Sequence, residues 1–470
     1  MNQSFAQDGA GKNPVYLANG IKTGEADQTS AIVWARTTRD KTRVEDGVDF
    51  LNVSRAEMSK ANMQARQIPE GKSLDEVKWS VPGAPGQLRV HYWPGDHKKE
   101  SRATDWVATS ADKDFTHQFI LTELEPGTTY HLIVESRPAS GSNPTDQISG
   151  QFQTAPAADV PADVRFGVVT GQMSQRRDDG DRGHGIYPIM RDKGVDFFVH
   201  TGDILYYDKE GPLAVNAELA RYKWHRMYSY PNQKAFHENV TSYFIKDDHD
   251  TLKNDCWPDQ NYGDLTWEQG LAIFREQVPM GEKTYRTYRW GKDLQIWLVE
   301  GRDFRSPNRA PDGPDKTIWG EEQKRWLFDS MQKSDASFRI LISPTPIVGP
   351  DRGGKSDNHA NKVFQHEGDE VRKFLSSLKN TYTVCGDRHW QYVSEDPETG
   401  LREYSCGPTT DKHAGGFSKD HESDMHKYLN IKGGFLTISI EHRNGKPVLV
   451  ARHYSTDGSL YNEDMRTLEE

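Results

Sequence analysis

The chain has 470 residues, 27% of them charged and 34% apolar, which is enough for two to four domains of a soluble globular protein. Twelve Trp, 19 Tyr and 18 Phe exclude a disordered chain. A net charge of −11 with no long basic run excludes nucleic acid as the default partner, because phosphate backbones are held by clustered Lys and Arg; the carboxylate excess serves solubility or a cation site.

Residues 1–13 are polar and lack the apolar core of a signal peptide, so the chain is cytosolic or its leader has been removed. No apolar run reaches the ~18 residues of a membrane span. From residue 14 to 157 the pattern is one of short strands separated by turns: TSAIVWART (29–37), QLRVHYWP (87–94), HQFILTEL (117–124) and TYHLIVESR (129–137). This predicts a β-sandwich. Within it, residues 54–76 form a charged insert that carries a helix or a long loop. TAPAADVPAD (154–163), rich in Ala, Pro and Asp, reads as a linker.

Beyond the linker the pattern changes to strand, helix, strand. VRFGVVT (164–170) is a buried strand, GIYPIMRDK (185–193) is helix-like, and a second buried strand spans 195–200. Further strands follow in SYFIKDDHD, DLQIWLVEGRD, FRILISPTP and TYTVCGDRHW, with a helix over 320–333 placing Trp326, Leu327 and Met331 on one face. Residues 435–455 form a hairpin turned at Asn444-Gly445. Residues 158–470 therefore read as an α/β domain with buried strands. The three cysteines, Cys256, Cys385 and Cys406, leave at least one thiol unpaired, and no Cys-x-x-Cys is present to form a zinc finger.

The strand ends carry the chemistry. One strand runs into Gly202-Asp203, another into Asp247, Asp248, His249 and Asp250, a third into Glu300, Arg302 and Asp303, and a fourth into Gly386, Asp387 and His389. Ligands of open α/β sheets bind beyond the carboxyl ends of the strands, so these four loops are expected to converge on one pocket. Gathering so many carboxylates costs several kcal/mol unless a cation neutralises them. A mixed oxygen and nitrogen donor set suits Mn, Fe, Zn or Ca. Two such metals would generate a bridging hydroxide able to attack a phosphorus or sulfur centre in line.

These segments resemble the calcineurin-like metallophosphatases, and within them the PhoD-like alkaline phosphatase and phosphodiesterase group. FFVHTGDILYYD (197–208), IKDDHDTLKNDCW (245–257), LVEGRDFRS (298–306), VCGDRHW (384–390) and YSCGPTT (404–410) carry the resemblance, and GIKTGEADQTSAIVWART (20–37) resembles the opening of that group's front domain. The resemblance implies an N-terminal Ig-like (fibronectin-III-like) β-sandwich over 14–157, then a four-layer α/β/β/α metallophosphatase domain over 158–470. It implies a secreted or periplasmic hydrolase of phosphate esters. It implies Asp203 as the bridge between two metals and Tyr206 as a phenolate ligand. Asp248, or Asn254 in competition with it, would hold the second metal, and Asp387 and His389 would complete the set. The metals implied are Ca and Fe, with Mn or Zn as the other candidates. His249 would stabilise the leaving oxygen, and Arg302 would clamp a phosphoryl oxygen or else serve as a salt bridge.

One departure stands out. Where the group places an Asp or Cys ligand after the first strand of this domain, VVTGQMS has Gly171, which has no side chain to ligate; Gln172 follows but is a weak ligand, and neither Met173 nor His184 has the expected spacing. The first metal would then have fewer ligands, or another residue would take the place. Loops 172–185, 257–266 and 306–319 are expected to shape specificity. In 351–364, Lys355, Asn358 and His359 are candidates for gripping a small or polymeric anionic ester, or belong to a solvated loop. The leading function is phosphomonoester or phosphodiester hydrolysis. The alternatives are a sulfatase acting on sulfated carbohydrate through the same site, or a binding module impaired by Gly171.

Overall fold

Two strands of the front region alternate strictly between inward and outward side chains: Gln87–Pro94 and Thr129–Arg137, paired antiparallel with Val90 opposite Val134. A period of two is what a sheet with one covered face requires. In the computed structural model, which describes residues 13–53, 67–139, 143–352, 354–417 and 422–469, this sheet packs over the strands Ile21–Gly24, Ala31–Arg36 and Thr116–Leu121, which form one end of a nine-stranded sheet. Leu88, Val90, Leu132 and Val134 from one sheet meet Ile21, Val33 and Phe119 from the other. Tyr130 accepts a hydrogen bond at its hydroxyl from the backbone of Glu125 at 2.9 Å, the tyrosine corner of Ig-like sandwiches. Of the charged insert, residues 54–66 lie outside the described residues, and a short 3-10 turn covers Leu74–Glu76.

Ala31–Arg36 is buried on both faces, which explains why its alternation is incomplete. One face enters the sandwich core. The other meets the C-terminal end of the helix Trp267–Gln277, where Trp34 Nε1 donates to the carbonyl of Glu276 at 2.8 Å. Lys22 lies beside it, its ammonium 3.2 Å from the centre of the Trp34 ring and 3.0 Å from the carbonyl of Gln277. The nine-stranded sheet continues directly beyond the sandwich: Ile21–Gly24 runs parallel to Thr241–Phe244 with Gly24 opposite Ser242. A Cβ on Gly24 would stand 2.4 Å from the Ser242 carbonyl oxygen, so only glycine admits this approach.

The remainder is an α/β/β/α stack. In the first sheet, Val164–Val169, Phe197–His200 and Thr241–Phe244 run parallel, flanked by the hairpin Phe435–Arg443 and Lys446–Tyr454 and by the edge strand Leu460–Thr467. In the second, Leu294–Leu298, Phe338–Ser343, Thr381–Cys385 and Arg402–Cys406 are parallel neighbours. The two sheets face each other through Phe166, Val168, Phe197 and Ile438 on one side and Ile296, Ile340, Val384 and Tyr404 on the other. Each such fully buried side chain contributes roughly 1.5–3 kcal/mol. Helices Ile186–Asp192 and Pro231–His237 cover the first sheet through Tyr187, Met190 and Phe236. Helices Gly320–Lys333 and Gln365–Ser376 cover the second through Leu327, Met331, Val371 and Leu375. The fold is thus an N-terminal β-sandwich followed by a four-layer α/β/β/α unit. All three cysteines are buried free thiols. No helix among the described residues is long and apolar enough to cross a membrane.

Candidate metal centre

The acidic loops come from both sheets of the stack. Two follow strands of the first sheet and two follow strands of the second, and they meet where the facing sheets end. Asp203 stands at the centre with φ +54°, and Asp387 has φ +60°. Such left-handed residues are costly for a side chain with a Cβ and concentrate at functional sites. Asp203 Oδ2 accepts from the Tyr206 hydroxyl at 2.8 Å. That hydroxyl lies 3.2 Å from His389 Nε2, which is itself 3.8 Å from Asp203 Oδ2. Asp203 Oδ1 is buried without a hydrogen-bond partner.

Asp248 and His249 approach from the next loop, so that ligand atoms of Asp203, Asp248 and His249 all lie within 4.8 Å of one another. Asp248 is fixed by the backbone N–H groups of His249 at 2.8 Å and Asp255 at 2.6 Å. Asp250 braces the loops from below: its carboxylate accepts from the N–H of Ile204 at 3.0 Å and of Asp247 at 2.6 Å. His249 Nδ1 rests on Asp208 Oδ1 at 2.5 Å, leaving Nε2 for the cluster.

The electrostatics are those of a cation site. Burial, reinforced by the Asp248 carboxylate and opposed by His249, pushes Asp203 above the usual carboxylate range. Burial likewise raises Asp250 to about 8, with Asp203 adding to it. Burial opposes the charge on His249, but Asp248, Asp203 and Asp208 outweigh it and hold the imidazolium up to about 9. Burial also works against ionised Asp248, yet His249, Arg302 and Lys355 keep it well below the ordinary value. An unpartnered buried carboxylate oxygen beside a second carboxylate is the donor set that a hard or borderline metal would complete. Asp203, Tyr206, Asp248 and His389 fit that role.

Other residues singled out from the sequence stand elsewhere. Asn254 is exposed, its side-chain oxygen accepting from Lys209 at 3.1 Å, so Asp248 and not Asn254 sits in the cluster. The Asp387 carboxylate is engaged by Arg388, which also pairs with Asp351 at 2.6 Å. Arg302 is fully buried and bound to Asp247 at 2.6 Å, with Asp248 and Asp357 each at 3.9 Å. This is the salt-bridge alternative, and the substrate clamp is corrected accordingly: a guanidinium sealed among three carboxylates is not presented to a ligand. Glu300 is likewise withdrawn, bound to Lys246.

In the loop 351–364, Lys355 lies 3.0 Å from Asp255 and 3.6 Å from Asp357, and Asp357 itself joins Asp248 and Asp255 in a second group whose carboxylate atoms lie within 4.8 Å of one another. Asn358 is buried and donates to Asp351 at 2.8 Å, and His359 is buried against Trp319 with Nε2 3.0 Å from Glu367. Both hold the loop's own fold, so their assignment to substrate is corrected. Gln172 turns into the core, where its side-chain carbonyl accepts from the Tyr187 hydroxyl. His184 is buried on Gln233 at 2.7 Å. Sequence reasoning missed Asp208, although it closes the quoted FFVHTGDILYYD segment five residues after Asp203. It also missed His413, which no motif marks.

Two facing mixed sheets wrapped by helices, with carboxylates and imidazoles gathered beyond their strand ends, define a metallophosphatase fold. Residues 166–432 match the family model described as PhoD-like phosphatase, and the chain belongs to that family. Alkaline phosphatase D of Bacillus subtilis (strain 168) is 21% identical over 305 residues, 51% of this chain and 48% of that protein, so the chain spans about half the length of that relative. Among solved structures, that of PhoD superposes with a TM-score of 0.71 at 15% identity, covering 98% of this chain and 90% of the other. A purple acid phosphatase, PPD1 from yellow lupin (Lupinus luteus) seeds, superposes with a TM-score of 0.61 at 11% identity, covering 95% and 74%. At these identities the two structures speak for the fold.

Proposed function

We propose that this chain is a metal-dependent hydrolase of phosphate monoesters or diesters, centred on Asp203, Tyr206, Asp248 and His389. The observation that carries the reading is the buried cluster of Asp203, Asp248 and His249, whose ligand atoms lie within 4.8 Å of one another and in which Asp203 also keeps a carboxylate oxygen without a hydrogen-bond partner. Family membership supports the same substrate class. Oxygen donors with one imidazole and a phenol favour Ca and Fe, with Mn or Zn as substitutes. Asp387, on the loop that carries His389, is the further carboxylate within this reading. Cations held by Asp203, Tyr206, Asp248 and His389 would supply Lewis acidity toward the phosphoryl oxygens and would acidify water.

The protein's own part is positioning and proton transfer. Asp208 orients His249, whose charged ring is a proton donor for the ester oxygen that leaves. Lys355, held between Asp255 and Asp357, is the side chain on the 351–364 loop that faces the anionic group. The division of labour we infer is a sandwich over 14–157 that braces the outer helices, and a catalytic unit over 158–470. The direct test is hydrolysis of nitrophenyl phosphate, bis-nitrophenyl phosphate and nitrophenyl sulfate by protein loaded with Ca and Fe, Mn or Zn. Turnover of a phosphate ester that disappears in Asp203→Asn supports the reading. Turnover of the sulfate alone, or of none of the three, rejects it.

A further inference from the structure

Gly171 occupies the place after the first strand of the α/β/β/α unit and offers no side chain to a metal. The structure also resists one. Gly171 has φ +59°, and a Cβ there would lie 3.2 Å from Pro408 Cβ and 3.4 Å from His389 Cδ2. The space beside it is taken by another segment. The loop after the strand Arg402–Cys406 folds back over Gly171, anchored by the parallel bridge from Thr170 to Pro408 and by Thr409 Oγ1 donating to the Gly171 carbonyl at 3.2 Å. Gly415 N donates to the carbonyl of His389 at 3.0 Å, so the same loop is stapled to the His389 loop as well.

This fold-back delivers His413. It is 5% exposed, its ring centre 4.1 Å from that of His389 and 5.3 Å from that of Tyr206. Its Nδ1 lies 2.9 Å from the Gly171 carbonyl. A carbonyl only accepts, so Nδ1 carries the proton, and in the neutral ring Nε2 then holds the free lone pair. A ring N–H anchored on a backbone carbonyl, with the other nitrogen free, is how metal-ligating histidines are oriented.

We propose that His413 is the replacement ligand for the position left empty by Gly171, so that the first metal is held by Asp203, Tyr206, His389 and His413. The inference rests on the metal-dependent reading above. It also gives Gly171 a positive role: the absence of a side chain admits the close approach of Pro408 and His389, and its carbonyl orients the His413 imidazole.

The test uses the full chain, stripped of metal and titrated separately with Fe2+, Mn2+, Zn2+ and Co2+, with bound metal counted after gel filtration. In His413→Gln the amide still reaches the Gly171 carbonyl but is a poor ligand. We expect binding of one metal per chain to weaken on the order of 10–100-fold, with the melting temperature of the metal-free protein unchanged. His413→Cys restores a strong ligand, and its Co2+ form gains a thiolate-to-metal charge-transfer band that the wild type lacks. Equal metal count and affinity in wild type and His413→Gln, or no such band in His413→Cys, overturns the assignment and leaves the hydrolase reading standing. A wild-type chain that binds none of the four metals removes the assignment, and one that binds no Ca2+ either removes the hydrolase reading with it.

Discussion

Asp208 Oδ1 and His249 Nδ1 approach to 2.5 Å, and this contact joins the two acidic loops of the first sheet above the strands Phe197–His200 and Thr241–Phe244. The pair is buried, and Asp208 is further tied to the backbone N–H of Asn254 at 3.1 Å. The carboxylate thus fixes which nitrogen of His249 faces Asp203 and Asp248. Removing its charge while keeping its shape should uncouple orientation from metal binding. In Asp208→Asn we expect kcat on nitrophenyl phosphate to fall on the order of 100-fold, within the range of a positioned proton donor, with metal per chain as in the wild type. A loss confined to KM would assign Asp208 to substrate binding instead.

Arg302 makes a prediction about stability rather than about substrate. Its guanidinium is sealed against Asp247 and lies within ion-pair distance of Asp248 and Asp357. Removing one partner of a buried ion pair leaves uncompensated charge, at a cost of about 3–5 kcal/mol. Arg302→Ala should therefore show a sharply lower denaturant midpoint, and Arg302→Lys should recover part of it, because an ammonium cannot reproduce the forked contact. A variant with wild-type stability and a raised KM would return Arg302 to the role of phosphoryl clamp.

These two residues show where the sequence was informative and where it was not. Asp203, Asp248, His249 and His389 were visible because a chemically loaded loop follows each buried strand, and strand ends are where a layered α/β fold places its ligands. The helix over 320–333 and the strand Thr129–Arg137 were legible because their burial follows a single period. What sequence could not carry was the partner of each charge. Arg302, Glu300 and His359 look like site residues in a linear reading, and each is spent on a contact more than five residues away: Asp247, Lys246 and Glu367. His413 was invisible for the same reason, since only the fold-back of its loop brings it onto Gly171.

Glu367 predicts a specific acid sensitivity. Burial works against its charge, but His359, the N–H of Ile318 and the hydroxyl of Thr317 outweigh it and hold the pKa at about 2, below its ordinary 4.5. A depressed carboxylate stabilises the fold fully above its unfolded pKa, and that contribution is lost as pH falls through the folded one. The window is therefore pH ~4.5 down to ~2, and the contribution is about 3 kcal/mol. Urea midpoints of the wild type should drop steeply across that window, and those of Glu367→Gln should start lower at neutral pH and fall less. Parallel curves would mean that other carboxylates govern the acid limb.

On the proposed reading, the crowding of Asp203 and Asp248 makes metal binding a determinant of folding as well as of activity. Burial pushes the Asp203 carboxyl up, with His249 opposing and Asp248 adding to it, so ionising Asp203 without a cation costs the fold part of its stability. A cation binding the folded state alone stabilises it by RT ln(1 + [L]/Kd), about 2.7 kcal/mol at a hundredfold excess over Kd. Chelation should accordingly lower the melting temperature, and added Mn2+ or Zn2+ should restore it in a concentration-dependent way. Asp203→Asn removes the repulsion and the ligand together. Its metal-free form should melt at or above the metal-free wild type and should no longer respond to added metal. If Asp203→Asn instead shows the wild-type shift on metal addition, the cation sits elsewhere in the molecule and Asp203 is not its ligand.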